Sequence, residues 1–226
     1  MADEFNNGQQ QAPSLFRIGD NAPDFTATTT NGEITFSEFN KDSWVVLFSH
    51  PADFTPVCTT ELSELAKEED YFKERNTKLI GISVDSIHSH VAWLQNIKDK
   101  LNVDIKYPLI ADLDGNVARK YGMLHPGESS TATVRAVFTI DPKGTIRSVI
   151  YYPLNVGRSI DEIKRQLVAL QTADENGVAI PADWQQNEKV IVPPPKTRQE
   201  AEERLASDYE KVDFYLSKKD LQTQNA

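Results

Sequence analysis

The stretch W-V-V-L-F-S-H-P-A-D-F-T-P-V-C-T-T-E, residues 44–61, decides the fold. It opens with an uninterrupted apolar run from Trp44 to Phe48, which is typical of a strand buried on both faces of a sheet. It closes with a helix start, because Thr55 suits the N-cap and Pro56 suits the first helical position. A buried strand that leads through a short loop into a helix is a typical element of layered α/β folds.

Strand and helix patterns alternate along the rest of the chain. Further strands are predicted over residues 78–84, 107–111, 135–140 and 145–151. Helices are predicted over residues 60–76, along the stripe Val91, Leu94, Ile97 and Leu101, and along the stripe Ile160, Ile163, Leu167 and Leu170. The last two strands form a hairpin, since Asp141-Pro142-Lys143-Gly144 joins them. We therefore predict an α/β fold with a mixed central β-sheet.

Two changes of composition divide the chain. Residues 1–15 are polar and rich in Gln and Asn, which predicts a disordered leader. Beyond residue 175 the chain becomes Pro-rich, and Pro193-Pro194-Pro195 cannot continue a helix. A charged helix is predicted after it, with the apolar stripe Ala201, Leu205, Tyr209 and Val212. We predict a core domain over 16–175 and an α+β C-terminal extension, a dimerisation arm, over 176–226.

Charge and composition exclude several classes of protein. The 226 residues carry 24 basic and 34 acidic side chains, so no concentrated basic surface is expected to bind nucleic acid. No apolar run approaches the ~20 residues of a membrane span, and the N-terminal residues show no secretory signal. The single cysteine allows no internal disulfide and indicates a reducing compartment, which we expect to be the cytoplasm.

That cysteine, Cys58, falls in the first turn of the helix that follows the buried strand. Unpaired N–H groups and the positive end of the helix dipole favour the thiolate there, and the thiolate is the nucleophilic form. Ligands also collect at the carboxyl ends of strands in open α/β folds. A buried structural cysteine is the alternative, since free cysteines are among the most buried residues. The strand-end position and the cap residues favour a reactive thiol.

The histidines give little support for hydrolysis or metal binding. A cysteine hydrolase needs a base beside the thiol, and His50 is the only histidine close to Cys58 in the sequence. His88 and His90 are two residues apart and do not share a helical face, so no metal site is expected there. We interpret these two and His125 as ordinary surface or helix-start residues.

The spacing P-x-x-x-T-x-x-C, formed by Pro51, Thr55 and Cys58, resembles the active-site signature of the peroxiredoxins. The fuller run from Ser49 to Glu61 is similar to the one-cysteine branch of that family, the thioredoxin-like peroxidases of the AhpC/TSA type, and the resemblance extends over residues 16–220. It implies a thioredoxin-like three-layer fold. It also implies an antioxidant oxidoreductase that reduces hydrogen peroxide and organic hydroperoxides without metal, haem or flavin.

The resemblance further implies roles for single residues around Cys58. The Thr55 hydroxyl would bond the thiolate and the peroxide, Pro51 would shield the site from water, and backbone N–H groups near Val57 would hold the substrate. Arg135 would donate to the thiolate and to the peroxide oxygens. A solvated cation at a strand edge is the alternative for Arg135.

A second group of residues is implied to support the first. His50 and Glu61 would form contacts behind the reacting groups, and Arg158 would orient Glu61 and Arg135. Glu61 has an equally weighted alternative as an acidic residue that favours the helix dipole.

The single cysteine also determines how the enzyme would be recycled. A sulfenic acid on Cys58 cannot close a disulfide with a second cysteine, so an external thiol such as glutathione or thioredoxin must reduce it. The expected partners are therefore a hydroperoxide and an external thiol, with no prosthetic cofactor. The apolar residues of the C-terminal extension should pack on the core domain or on another subunit. The resemblance favours a homodimer or higher oligomer in which the extension crosses to the neighbouring subunit, and a monomer with the extension folded on its own core is the alternative.

Other functions fit the sequence less well. The animal members of the branch that this chain resembles have a second, phospholipase-type activity, which the family associates with a Ser in G-x-S-x-G, a His and an Asp. The resemblance places Ser43 and Lys143 at the Ser and Asp positions, and the activity is disfavoured because Ser43 lacks both glycines and Lys143 is not an Asp. A thiol–disulfide oxidoreductase needs C-x-x-C, which Thr55 and Glu61 rule out. A redox-switched chaperone or sensor module stays open as a non-enzymatic alternative.

Overall fold

The computed structural model describes residues 16–221. The predicted leader, residues 1–15, lies outside these residues. The chain divides into two compact units between Arg158 and Ser159. The boundary predicted near residue 175 falls inside one continuous helix, Ile160–Asn176, and that helix belongs to the second unit.

The first unit is built on a mixed sheet. Its strands are β1 (Thr26–Thr29), β2 (Gly32–Thr35), β3 (Trp44–Ser49), β4 (Thr77–Ser83), β5 (Leu109–Ala111), β6 (Arg135–Ile140) and β7 (Ile146–Tyr152). They form one seven-stranded sheet in the order β2-β1-β5-β4-β3-β6-β7. Strand β4 is parallel to β3 and β5, whereas β6 is antiparallel to β3 and β7. The predicted mixed sheet and hairpin are confirmed.

Five helices accompany this sheet, and the two shortest have no counterpart among the predicted helices. They are α1 (Phe36–Asn40), α2 (Pro56–Lys67), α3 (Glu69–Glu74), α4 (Ile87–Leu101) and α5 (Asn116–Lys120). The single helix predicted over residues 60–76 is interrupted at Glu68, whose ψ of 5° departs from helical geometry. The helix predicted along Val91, Leu94, Ile97 and Leu101 is confirmed as α4, although Val91 and Leu101 are 54% and 51% exposed.

The middle of the sheet is a rigid base for the loop that follows β3. All six residues of β3 are buried, because strands flank both of its edges and side chains cover both of its faces. Val45 and Leu47 face the main apolar cluster, whereas the Phe48 ring packs against Tyr107 at 5.6 Å. Gly81 of β4 is required beside them, since a Cβ there would lie 2.5 Å from a methyl carbon of Leu109.

The second unit has mixed secondary structure. Its elements are α6 (Ile160–Asn176), β8 (Val190–Ile191), α7 (Arg198–Ala206), β9 (Glu210–Asp213) and β10 (Leu216–Lys219). The strands form a small sheet in the order β8-β10-β9. The helix predicted through Tyr209 and Val212 is wrong, because Ser207 is extended with ψ 164° and ends α7, and Val212 lies in β9. None of the helices within residues 16–221 is long and apolar enough to cross a membrane.

Candidate active site

Cys58 lies at the amino end of α2, directly after the loop that leaves β3. The helix begins at Pro56, so Cys58 occupies its first turn as predicted, and the side chain is fully buried. Backbone N–H groups in this turn have no partner within the helix and give it a positive partial charge. An anion on the sulfur of Cys58 is stabilised by this position.

The guanidinium of Arg135 lies against the thiol. Arg135 is the first residue of β6, and its Nη1 is 3.3 Å from Cys58 Sγ. Its Nε and Nη2 both donate to the carbonyl oxygen of Leu154, at 3.0 and 2.6 Å, which fixes the plane of the group. Arg135 is 2% exposed, so the alternative of a solvated cation at a strand edge is excluded.

A buried carboxylate joins Arg135 to a second arginine. Glu61, one turn after Cys58 on α2, accepts a 2.8 Å bond from Arg135 Nη1. Arg158 donates to the same carboxylate through Nε at 2.8 Å, through Nη2 at 2.7 Å and through its backbone N–H at 2.7 Å. Its remaining Nη1 donates to the carbonyl oxygens of Ser49 and Ala136. The cluster therefore joins α2, β3 and β6 to the segment that follows β7, from which Leu154 and Arg158 come.

The cluster carries an excess of positive charge. Burial raises the pKa of Glu61, but the charge and hydrogen bonds of Arg158 and the charge of Arg135 outweigh it and hold that pKa below its ordinary value. An ionised Glu61 offsets only one of the two guanidinium charges. The surplus cation lies beside a buried sulfur, where electrostatic interactions are stronger than in water. This arrangement stabilises a thiolate and the charge that leaves it during attack on an electrophile.

Pro51 and Thr55 lie in the loop before Cys58, and Val57 directly precedes it in α2. Each of the three is half-buried. The Thr55 hydroxyl donates to the carbonyl oxygen of Ala52 at 2.8 Å and does not cap the helix. Because a hydroxyl has one proton, Thr55 does not donate to the thiolate in this state, contrary to the implied bond. Its lone pairs are left to accept a hydrogen bond from another group.

His50 lies behind this loop and contacts neither the thiol nor the arginines. Its carbonyl oxygen accepts a 2.8 Å bond from the hydroxyl of Thr133, and its ring Nε2 is 2.9 Å from Asp53 Oδ1. The ring is fully buried and stacks at an angle on Trp93, with 5.3 Å between centroids. The supporting role predicted for His50 therefore depends on its hydrogen bond to Asp53, a residue that no sequence pattern indicated.

His90 lies near the start of α4, as expected of a helix-start residue, but the alternative of a surface position is wrong. His90 is fully buried, and its Nδ1 is 2.8 Å from Asp53 Oδ2. A signal was present, because His90, Trp93 and Ile97 follow the i, i+3, i+7 spacing of one helix face and are the buried residues of α4. The ligand-type atoms of His50, Asp53 and His90 lie within 4.8 Å of one another, but both carboxylate oxygens are taken by imidazole donors. In this structure the three side chains form a hydrogen-bonded chain.

Ser43 has the surroundings of a turn residue. Its hydroxyl is bonded to Asn76 Oδ1 at 3.2 Å, and its backbone is tied to Asn40. A serine nucleophile needs an adjacent base, and the partner of Ser43 is an amide. The structure therefore offers no support for lipid hydrolysis at this serine.

Comparison with protein families decides the identity of the chain. Residues 18–149 match the AhpC/TSA family, and residues 169–208 match the C-terminal domain of 1-Cys peroxiredoxin. The chain is a peroxiredoxin. A peroxiredoxin of Aquifex aeolicus is 55% identical over 216 residues, which cover 91% of this chain and 97% of that protein. One of Methanosarcina mazei is 50% identical over 215 residues, covering 91% and 98%.

Solved structures agree with this assignment. The yeast mitochondrial 1-Cys peroxiredoxin is 43% identical to this chain, with a TM-score of 0.83. The match covers 92% of this chain and all of the yeast chain, whose thiol resolving mechanism was studied via the glutathione/thioredoxin systems. A cysteine-to-serine mutant of peroxiredoxin 6 from Arenicola marina is 38% identical with a TM-score of 0.82, covering 91% and 98%. The peroxiredoxin is therefore a thioredoxin-like thiol peroxidase that needs no prosthetic cofactor, and its single cysteine fits the 1-Cys mechanism.

Proposed function

We propose that Cys58 is the residue that reduces hydroperoxides, and that Arg135, Thr55, Pro51 and Val57 form its substrate site. The observation that carries the proposal is the 3.3 Å contact between Arg135 Nη1 and Cys58 Sγ within a buried cationic cluster. The thiolate attacks the terminal oxygen of the peroxide, so that the S–O bond forms as the O–O bond breaks. Cys58 is oxidised to a sulfenic acid, and the leaving alkoxide or hydroxide takes a proton to give alcohol or water.

The reacting groups have complementary roles in this step. Arg135 stabilises negative charge as it moves from sulfur to the leaving oxygen. The Thr55 hydroxyl, already bonded to Ala52, accepts the peroxide O–H and aligns the O–O bond with the sulfur. Backbone N–H groups at Val57 and Cys58 hold the substrate, and Pro51 limits the access of water. His50, Glu61 and Arg158 support these groups without touching the substrate.

An external thiol completes the cycle. A first thiol condenses with the sulfenic acid to give a mixed disulfide and water, and a second thiol releases Cys58 as a disulfide of the reductant forms. Glutathione and thioredoxin are both of the required chemical class. The single cysteine also supports a reducing compartment, and we place the enzyme in the cytoplasm.

The proposed assembly is a homodimer, or a higher oligomer, in which the second unit contacts a neighbouring subunit. Helix α7 has no buried residue, and Val212 and Tyr215 of the second unit are 80% and 56% exposed. Apolar side chains exposed in this number favour a protein partner.

Stopped-flow oxidation with hydrogen peroxide and with an organic hydroperoxide tests the catalytic assignment. We expect rapid single-turnover oxidation, with one added oxygen on the Cys58 peptide at equimolar peroxide. The Cys58→Ser variant should lose turnover while its circular dichroism and melting temperature stay close to those of the unaltered protein. Turnover that survives in Cys58→Ser would refute the proposal.

A further inference from the structure

A chain of hydrogen bonds runs through three side chains that neither react with nor touch the substrate in the proposed mechanism. His50 Nε2 is 2.9 Å from Asp53 Oδ1, Asp53 Oδ2 is 2.8 Å from His90 Nδ1, and His90 Nε2 is 3.1 Å from the carbonyl oxygen of Ile110. Both imidazoles are fully buried, and the Asp53 side chain is 1% exposed. The chain connects the end of β3 and the loop before Cys58 to α4 and β5.

The acceptors along this chain fix the protons on His90. The carbonyl oxygen of Ile110 can only accept, so His90 Nε2 carries a proton. Asp53 is ionised, because the hydrogen bonds from His50 and His90 overcome its burial and hold its pKa well below the ordinary value. An ionised carboxylate can only accept, so His90 Nδ1 carries a proton as well. His90 is therefore an imidazolium ion.

His50, in contrast to His90, is a neutral imidazole. Its Nε2 donates to Asp53, whereas its buried Nδ1 has no partner in the described part of the chain. A proton added at Nδ1 would be an unpaired charged donor in the interior, and burial accordingly lowers the pKa of His50. One carboxylate thus holds one neutral and one charged imidazole.

The loop anchored by this chain contains a strained residue. Phe54, which follows Asp53, has a φ of +55° in the left-handed region that non-glycine residues rarely adopt. Such a conformation persists only where the surroundings enforce it. The Asp53 side chain is held by both imidazoles, and its backbone N–H donates to Asp85 Oδ2 at 3.1 Å. Pro51 and Thr55, on either side, belong to the proposed substrate site.

We propose that His90, as a buried imidazolium, and Asp53 are positioning residues of the peroxidase that hold the loop 51–55 in its peroxide-binding form. The inference rests on the proposed function, since it assigns the loop its substrate contacts. The charged groups facing His90 are Asp53 and Asp85, and His50 faces it as a neutral ring. Burial lowers the pKa of His90, but the hydrogen bond and charge of Asp53 outweigh it, so the pKa is raised above its ordinary value. Peroxide reactivity should therefore fall as alkaline pH removes this proton.

Nitrogen-15 NMR of the unaltered protein with labelled imidazoles tests the protonation state without any mutation. The chain has four histidines, so the spectrum is simple, and His90→Gln and His50→Gln assign the two buried rings. At neutral pH we expect both His90 nitrogens to be protonated and His50 to be the neutral form with its proton on Nε2. A neutral His90, or a metal bound by these rings, would overturn the proposal.

Stopped-flow kinetics test the positioning role. His90→Gln and Asp53→Asn should lower the second-order rate constant for Cys58 oxidation between about ten- and a hundredfold, because the loop no longer holds Thr55 in place. The alkaline fall of the unaltered protein should disappear in His90→Gln. His88→Gln is the matched control, since His88 is exposed on the same helix.

The outcomes separate this inference from the proposed function. An imidazolium His90 together with an unchanged rate constant and pH profile in His90→Gln would overturn the positioning role. That role is equally overturned if only the melting temperature changes, or if His88→Gln has the same effect as His90→Gln. Failure of peroxide to oxidise Cys58 in the unaltered protein would refute the proposed function itself. The NMR spectrum reports the protonation of the histidines and not this oxidation, so the two failures are distinguishable.

Discussion

Arg158 binds the carboxylate of Glu61 with its backbone N–H and with two guanidinium nitrogens, all at 2.7–2.8 Å. This attachment leaves one lone-pair direction of Glu61 for Arg135, whose Nη1 also reaches Cys58 Sγ. The position of the cation beside the thiol is thus set by a residue that lies far away in the sequence. Glu61 connects the two arginines through hydrogen bonds, and its replacement should lower both the free energy of unfolding and the reactivity of Cys58.

Replacing Glu61 with Gln should destabilise the fold by about 3–5 kcal/mol, because two buried guanidinium groups lose their counter-charge. Urea unfolding followed by circular dichroism measures the change. Glu64→Gln on the same helix is the control, since Glu64 forms an exposed pair with Lys67 and should lose about 0.5 kcal/mol or less. Equal losses of unfolding free energy in Glu61→Gln and Glu64→Gln would contradict the role of Glu61 as the buried counter-charge of the two arginines.

The stability difference between the unaltered protein and Glu61→Gln should depend on pH. The folded-state pKa of Glu61 is lowered, so its ionisation stabilises the protein fully above the unfolded-state value near 4.5, and this contribution is lost as the pH falls through the folded value. The difference in unfolding free energy between the unaltered protein and Glu61→Gln should therefore shrink below about pH 4.5. Denaturant titrations at several acidic pH values measure it. A difference that stays constant would show that Glu61 is not the titrating group.

Much of the fold could be predicted because its strands are locally encoded. The run Trp44–Phe48 is continuous and apolar, the segment 78–84 is rich in Leu, Ile and Val, and both lie in central strands of the sheet. The end of α7 was not predictable from periodicity, since Tyr209 and Val212 fit a helical stripe that an extended Ser207 interrupts. Short strands such as β9 are stabilised by neighbours that come from elsewhere in the chain, so their local signal is weak.

Some residues of the candidate site could be predicted from the local sequence, and others could not. The position of Cys58 follows from cap residues adjacent to it, which is local information. The contacts of Arg135 and Arg158 with Glu61 span long separations, and only family resemblance indicated them. We interpret His90 as an ordinary surface or helix-start residue, and it lies near the start of α4 but is buried. Its spacing with Trp93 and Ile97 indicates the buried helix face, whereas its hydrogen bond to Asp53 depends on the loop before α2, which no local pattern contains.

Truncating Arg135 to Ala should slow the oxidation of Cys58 about 10²–10³-fold, as removal of a charged donor to a developing anion does in other enzymes. Arg135→Lys should recover only part of the rate, because one ammonium cannot reach Cys58, Glu61 and Leu154 together in the arginine geometry. Stopped-flow rate constants with hydrogen peroxide measure both. Arg17→Ala, at an exposed arginine, should leave the rate unchanged. An Arg135→Ala rate close to normal would exclude its role at the thiol.

Excess peroxide should inactivate the enzyme by further oxidation of Cys58. The chain has no second cysteine to trap the sulfenic acid, so continued attack leads to sulfinic and then sulfonic acid. Mass spectrometry of the Cys58 peptide should show additions of two and three oxygens, and a thiol reductant supplied beforehand should suppress both. A stable addition of a single oxygen at high peroxide would mean that another group protects the sulfenic acid.

The exposed apolar residues of the second unit should mediate self-association. Val212 is 80% exposed, and burying a side chain of that size contributes about 1.5–3 kcal/mol. Sedimentation velocity of the unaltered protein should therefore give a dimer or larger species at micromolar concentration. Val212→Glu should raise the fraction of monomer, and deletion of residues 177–226 should give monomers or aggregates with reduced activity. Leu113→Glu, at a residue of the first unit that is 70% exposed, should leave the association unchanged. A monomeric unaltered protein, or a truncated form that stays an active dimer, would refute the role assigned to this extension.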